Sequence, residues 1–358
     1  MHNVEAIRTR PGMFIGDTRD GSGLMHMLWE VVSNSLDEHL AGRCFSITVE
    51  IAPDDSVTVE DDGSGLPLHI VGGIPFAQLA LTSFHDAPTL DGHAPHEHIG
   101  KWGVGLFPVC ALSSWLRLEV HRDGRFFSQR FERGLAVSEL EDNGPTASRG
   151  TSITFAPDPS IFQTTRLDAR RVASRLRELS YLLPKLSLRF REQDESLFHE
   201  PHGLAAFLDA KAPQHRLDLP VFVTSRLSGQ IAVEAAARWD LTGDPSVDSF
   251  ANVERTVDGG AHVRGLLQGF LAGLKLGAPR LCAPYALREL NRALSRGLTA
   301  VVCVRLRDPT YDRPTKSRLV TPEARLAVRS CIAEAFREFV ENEPEIRRHL
   351  ETLLRTAG

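Results

Sequence analysis

Glu30-Val31-Val32-Ser33-Asn34-Ser35-Leu36-Asp37-Glu38 lies inside a run, Leu24 to Leu40, that reads as one helix. At about 100° per residue, Glu30, Asn34, Asp37 and Glu38 share one stripe about 100° wide. Leu28, Val31, Val32, Leu36 and Leu40 fall on the rest of the helix. A solvated helix face ordinarily mixes Lys and Arg with acids. This stripe has three acids, one amide and no base, so it faces something more particular than water. Three further motifs follow in order: Asp61-Asp62-Gly63-Ser64-Gly65, then Gly100-Lys101-Trp102-Gly103-Val104-Gly105, then Gly150-Thr151. Each is weak alone, because Asp-Gly usually marks a turn and glycine-rich triplets arise by chance. In this order, and so close together, they describe a pocket for a nucleotide triphosphate.

The residue types fit that chemistry. A carboxylate beside a phosphate site can orient and deprotonate water, and Glu30 suits this general-base work. Asn34 offers a neutral oxygen to Mg²⁺, which prefers few protein ligands plus water and phosphate oxygens. Asp61, at the end of a strand, can accept a hydrogen bond from an adenine amino group, although a simple turn explains that piece alone equally well. Gly63 and Gly65 let backbone approach a flat ring. The Gly100–Gly105 segment precedes a helix, where N–H groups and the dipole favour phosphate, and Lys101 adds a mobile charge. It is neither a Walker A sequence nor a dinucleotide fingerprint. Asp308 to Arg318 reads in isolation as a basic surface loop; its functional reading is Lys316 reaching a γ-phosphate. His85, His93, His96 and His98 read as solvated lid residues, because no cysteine or ordered partner accompanies them as a metal site would need.

With 42% hydrophobic and 24% charged residues, the 358-residue chain has an ordinary globular composition and length enough for two domains. Its five cysteines are scattered with no CxxC spacing, which predicts reduced thiols and a cytoplasmic setting. No apolar run is long enough to span a membrane, and the first residues lack a signal-peptide core. A net charge of −5 argues against a chain that wraps DNA by charge alone.

Phe45–Ile51 and Ser56–Glu60 alternate like the strands of a hairpin around Pro53-Asp54-Asp55. Helices are expected at Ala77–Phe84, from Val104 to Leu112, and at Leu167–Leu183 before Pro184. Trp115–Val120, Phe126–Phe131, Thr151–Phe155 and Ser187–Arg191 read as strands. Asp86–His98 reads as a mobile loop. A boundary near Lys211 divides the chain into 1–210 and 211–358. Beyond it, Ile231–Arg238, a helix ending near Leu276 and the apolar strand Leu298–Leu306 predict a βαβ crossover, and Pro322–Glu341 reads as the final helix.

These residues resemble the ATPase region of the B subunit of DNA gyrase and its topoisomerase IV counterpart. The four-motif pocket is shared more widely with Hsp90, histidine kinases and MutL. The stretches that single out gyrase and topoisomerase IV are Arg10-Pro11-Gly12-Met13-Phe14-Ile15-Gly16-Asp17, Asp37 to Gly42, Arg175 to Ser180, Asp258 to His262, and Pro314-Thr315-Lys316. The resemblance implies an α+β chain: a Bergerat-type two-layer α/β sandwich, with helices on one face of a mixed sheet, then a smaller α/β transducer domain. It implies Glu30 and Lys316 as catalytic residues and Asn34 as Mg²⁺ ligand. Glu38, Asp61, Gly63, Gly65, Leu66, Pro67, Gly100, Lys101, Trp102, Gly103, Val104, Gly105 and Thr151 would bind ATP, with Arg122 at the rim.

The departures shape further expectations. The family has an arginine where this chain has Ser64, facing Glu38; it usually has leucine and histidine at Lys101 and Trp102, and glutamine at Pro314. Its N-terminal arm embraces the other protomer, whereas Val4 already lies within the shared block, so the expected ATP-dependent homodimer is weak. The metal-binding domain that helps to cleave DNA is expected to be absent, so this polypeptide alone should not break DNA. The leading expectation is an ATPase module of a type II topoisomerase, acting with DNA and a gyrase A-like subunit. The alternative is a stand-alone paralogue that binds nucleotide as a regulator or decoy.

Overall fold

The computed structural model describes residues 2–84, 105–211, 217–240, 243–313 and 316–357. The chain divides into two compact units, Met1–Pro201 and His202–Gly358.

The first unit contains α1 (His2–Thr9), α2 (Gly12–Ile15), α3 (Ser22–Leu40), β1 (Ser46–Ile51), β2 (Val57–Asp61), β3 (Ile70–Val71), β4 (Ile74–Pro75), α4 (Phe76–Thr82) and α5 (Leu106–Leu112). It continues with β5 (Ser113–Arg122), β6 (Arg125–Glu132), β7 (Leu135–Ala136), β8 (Glu141–Pro145), β9 (Gly150–Pro157), α6 (Ala169–Leu182), β10 (Ser187–Arg191) and β11 (Glu195–Phe198). The sheet runs β11-β10-β1-β2-β9-β5-β6-β7, with β8 also on β6. Among the described strands only the β1–β10 pairing is parallel, so the sheet is mixed. In β1, Ile47, Val49 and Ile51 are buried while Ser46, Thr48 and Glu50 are half-exposed. This period of two puts an apolar row on one face. α3, α5 and α6 pack on the sheet, giving the expected two-layer sandwich. The hairpin expected around Pro53 forms as β1 and β2, paired Ile47 with Asp61 through Ile51 with Val57.

The second unit contains α7 (Gly203–Ala210), β12 (Phe222–Ser228), β13 (Ile231–Trp239), β14 (Ser246–Ala251), β15 (Glu254–Arg255), α8 (Ala261–Gly277), α9 (Pro279–Cys282), α10 (Leu287–Ser295), β16 (Leu298–Arg305), α11 (Pro322–Asn342) and α12 (Pro344–Ala357). Its sheet runs β12-β13-β16-β14-β15. β14 and β16 are parallel, and α8, α9 and α10 lie between them in sequence, so a βαβ crossover exists; it starts from β14 and not from Ile231–Arg238 as expected, because β13 pairs antiparallel with β16. Phe222, Trp239, Phe270 and Phe336 form its aromatic centre, with Phe270 and Phe336 centroids 4.9 Å apart.

Two further expectations need correction. A boundary near Lys211 puts α7 in the first domain, but α7 packs on β13 and β16, and Phe207 meets Phe250 edge-on at 6.0 Å, so it belongs to the second unit. The helix at 322–341 is not the last. α12 follows it, burying Ile346, Leu350, Leu353 and Leu354 at helical spacing. Pro344 opens that helix rather than ending one, because the first turn tolerates a missing N–H.

Among the described residues no helix is long and apolar enough to cross a membrane. All five cysteines are free and buried.

Candidate nucleotide site

α3 buries Leu24, Leu28, Val31, Val32, Ser35 and Leu36, and leaves Glu30, Asn34, Asp37 and Glu38 half-exposed. The polar stripe therefore exists, and Ser35 beside it has a specific use. Asp61 ends β2 on the same face as Val57 and Val59, a position that apolar residues fill elsewhere in the strand. It is 5% exposed. Ser35 Oγ donates to Asp61 Oδ2 at 2.8 Å, and the backbone N–H groups of Gly63 and Thr151 donate to Oδ1 at 2.9 and 3.3 Å. Burial pushes the Asp61 carboxyl up to about 6; these hydrogen bonds pull against it, and the nearby Glu38 charge adds to the rise. A buried strand-end carboxylate oriented by three donors can serve as a fixed acceptor.

The loop after Asp61 is pinned across the sheet. Leu66 N–H donates to Thr151 Oγ1 at 3.0 Å, and Arg122 Nη1 donates to the Gly65 carbonyl at 2.7 Å. Gly63, Gly65 and Leu66 are buried and Pro67 is half-buried. Thr151 thus has two roles, a backbone donor to Asp61 and a side-chain acceptor for Leu66.

Glu30 lies at the other end of the stripe. One carboxylate oxygen, Oε1, stands 3.0 Å from His26 Nε2, one helical turn earlier. The other lies directly against Gly105: a Cβ at that position would collide with Glu30 Oε2. Only glycine lets the backbone come so close to the carboxylate. Asn34, one turn beyond Glu30, is half-buried and its amide forms no hydrogen bond among the described residues. A neutral amide oxygen is a ligand that Mg²⁺ accepts alongside phosphate and water.

The structure thus brings together Glu30, Asn34, Glu38, Asp61, Gly63, Gly65, Leu66, Pro67, Gly105 and Thr151, all within the first unit. Gly100, Lys101, Trp102, Gly103, Val104 and the four histidines lie outside the described residues. Lys316 lies in the second unit, at φ 56°, with Nζ 4.0 Å from Glu254 Oε1. Sequence reasoning does not pick out His26, Ser35, Arg43 or Arg149. His26 is within its reach, being four residues before Glu30 on a helix.

The fold and this pocket define a Bergerat-type ATPase domain followed by a second α/β domain. A family model for histidine kinase-, DNA gyrase B- and HSP90-like ATPases matches residues 19–160, and one for DNA gyrase B matches 203–356. The DNA gyrase B subunit of Halalkalibacterium halodurans is 35% identical over 98% of this chain, and that of Clostridium acetobutylicum 35% over 97%. The chain spans about half the length of these relatives, 56% of each. Among solved structures, the 43K ATPase domain of Thermus thermophilus gyrase B, in complex with an aminocoumarin, is 30% identical with a TM-score of 0.84, over 99% of this chain and 93% of that one. The B subunit of Myxococcus xanthus DNA gyrase is 26% identical with a TM-score of 0.81, over 98% of this chain and 99% of that one. The chain belongs to the DNA gyrase B family and corresponds to its ATPase region.

Proposed function

We propose that this chain binds ATP in the pocket of the first unit and hydrolyses it, with Glu30 as general base. The observation that carries the reading is the Glu30 carboxylate lying against Gly105, the last glycine of the Gly100–Gly105 motif. Asp61 accepts the adenine amino hydrogen bond, with Gly63, Gly65, Leu66, Pro67 and Thr151 around the base. His26 holds Glu30 Oε1, which leaves Oε2 to take a proton from the attacking water. Asn34 would hold Mg²⁺, whose charge neutralises the triphosphate. The Gly100–Gly105 backbone cradles phosphates, and Lys316 meets the γ-phosphate from the second unit.

From the family we further propose that ATP closes a homodimer and turnover reopens it, coupling hydrolysis to a change in DNA topology in company with a gyrase A-like subunit. A cytoplasmic setting goes with that role. The test is phosphate release by the purified chain, with and without DNA and a gyrase A subunit. Glu30→Gln should lower turnover roughly 10²-fold or more while ADP still binds. Turnover at the wild-type rate in that variant would remove Glu30 from the base role. Nucleotide binding without any phosphate release by the wild-type chain would replace hydrolysis with a binding-only role.

A further inference from the structure

Glu38 stands on the last turns of α3, and the chain leaves this helix through Gly42 at φ 76°. That left-handed residue turns the chain back along the helix. Arg43 N–H then donates to the Glu38 carbonyl at 3.0 Å. The Arg43 side chain doubles back too: Nε donates to Glu38 Oε2 at 3.0 Å and Nη2 to Oε1 at 2.6 Å. The pair is largely withdrawn from water, with the side chains 30% and 17% exposed. Glu38 Oε2 also accepts the Ser64 N–H at 2.9 Å, at the centre of the Asp61–Gly65 turn. From the other side, Arg149 donates to the carbonyls of Arg43 and Asp62 at 2.6 and 2.8 Å. Asp62 Oδ1 accepts the N–H groups of Phe45 and Ser46 at 2.6 and 2.9 Å.

The turn that follows Asp61 is therefore stitched to the segment after α3, and Glu38 is the stitch nearest the pocket. A guanidinium fork on both carboxylate oxygens fixes the Glu38 rotamer in a way one point charge does not. Without it, a Glu38 carboxylate close enough to Asp61 to raise its pKa gains by turning towards water. It then gives up the Ser64 N–H. Resting on the ATP reading above, we propose that Arg43 is a positioning residue for the nucleotide base: by clamping Glu38 it holds the Asp61–Gly65 turn in the geometry that receives adenine. The charge that steadies this turn comes from the far side of Glu38, and Ser64 contributes only its backbone.

Equilibrium binding of ADP and steady-state ATP hydrolysis by the full chain test this. Arg43→Ala should raise the Kd for ADP and the KM for ATP roughly tenfold, the scale of one charge-assisted hydrogen bond. At saturating ATP, kcat should stay within about twofold, because Glu30 and Gly105 are untouched. Arg43→Lys should recover only part of the affinity, since it lacks the fork. Because the Ser64 N–H already touches Glu38, a long basic side chain at 64 reaches the same carboxylate, so the double variant Arg43→Ala with Ser64→Arg should restore ADP affinity. A merely structural defect would not be rescued from the opposite side. An unchanged Kd in Arg43→Ala, or a loss that the double variant does not repair, overturns the inference. Asp61→Asn separates the two levels. ADP binding that weakens in Asp61→Asn but not in Arg43→Ala refutes the role of Arg43 alone, whereas no ADP binding by the wild-type chain sinks the ATP reading and this inference with it.

Discussion

Asp61 occupies a position where β2 otherwise buries valine, and its chemistry follows from that placement. Burial favours the neutral acid, yet an acceptor for an amino group works best ionised, so three donors hold the carboxylate ready. Its pKa in the fold, about 6, stands above the ordinary 3.8. The stabilising contribution of a raised acid is complete below the unfolded pKa and is lost as pH rises through the folded one. Asp61 should therefore cost the first unit roughly 3 kcal/mol between about pH 4 and pH 7. Urea unfolding of wild type and Asp61→Asn at both pH values checks this; the variant should lose less stability on going to pH 7, and identical pH dependence would sink the argument. The same variant should bind ADP at least roughly tenfold more weakly, for want of a charged acceptor. An unchanged Kd would count against the adenine contact. Glu30 and Glu38 are legible in the sequence because their helix stripe carries acids and an amide with no base, and Asp61 because a glycine motif follows it at a strand end. Ser35, Arg43 and Arg149 are not, because each is an ordinary polar residue until the fold brings its partner from another segment.

At the scale of elements, α8 and α11 run parallel and close. Gly265, Gly269, Gly273 and Gly277 face α11 at four-residue spacing, and a Cβ on Gly269 would lie 2.6 Å from Ile332 Cβ. Glycine costs a helix about 1 kcal/mol against alanine, so its recurrence there reflects the close approach of the two backbones. Gly269→Val should destabilise the second unit by about 1–3 kcal/mol through overpacking. A thermal melt with an unchanged or raised midpoint would show that the helices can move apart freely. α8 is legible as one long helix from its apolar spacing, whereas the glycine row acquires its meaning only once α11 lies against it. β1, β2 and α6 are legible because their apolar residues keep a clear period, and β13 and β16 because they are short, nearly continuous apolar runs. β14, Ser246 to Ala251, is not: half of its six residues are Ser or Asp, and its ladder to β16 pairs segments about fifty residues apart. Register supplied from far along the chain leaves no local mark.

At the scale of the whole molecule, the residues proposed for the chemistry fall in two compact units: Asp61, Asn34 and Glu30 in the first, Lys316 in the second. The Lys316 loop is anchored directly after the lysine. Asp258 N–H donates to the Ser317 carbonyl at 2.8 Å, and Leu319 exchanges backbone hydrogen bonds with Gly259 and Ala261 at 3.1 and 2.8 Å. Among the described residues the side chain itself is held by an ion pair at 4.0 Å with Glu254, and half-exposed pairs of this kind contribute little. A γ-phosphate carries more charge and would compete with Glu254 for the lysine. Because Lys316 lies far in sequence from the pocket, its contribution should depend on the γ-phosphate and on approach of the second unit. Lys316→Ala should slow hydrolysis roughly 10²-fold, the scale for losing one cationic or hydrogen-bonding contact to developing charge. It should leave the Kd for ADP unchanged, since ADP has no γ-phosphate to meet. If turnover also requires two copies of the chain to close together, specific activity should rise with protein concentration in the wild type and stay low in the variant. Isothermal titration with ADP and a phosphate-release assay over a concentration series measure both. Equal loss of ADP and ATP affinity in Lys316→Ala would mean that the lysine supports the fold of its loop and takes no part in the chemistry.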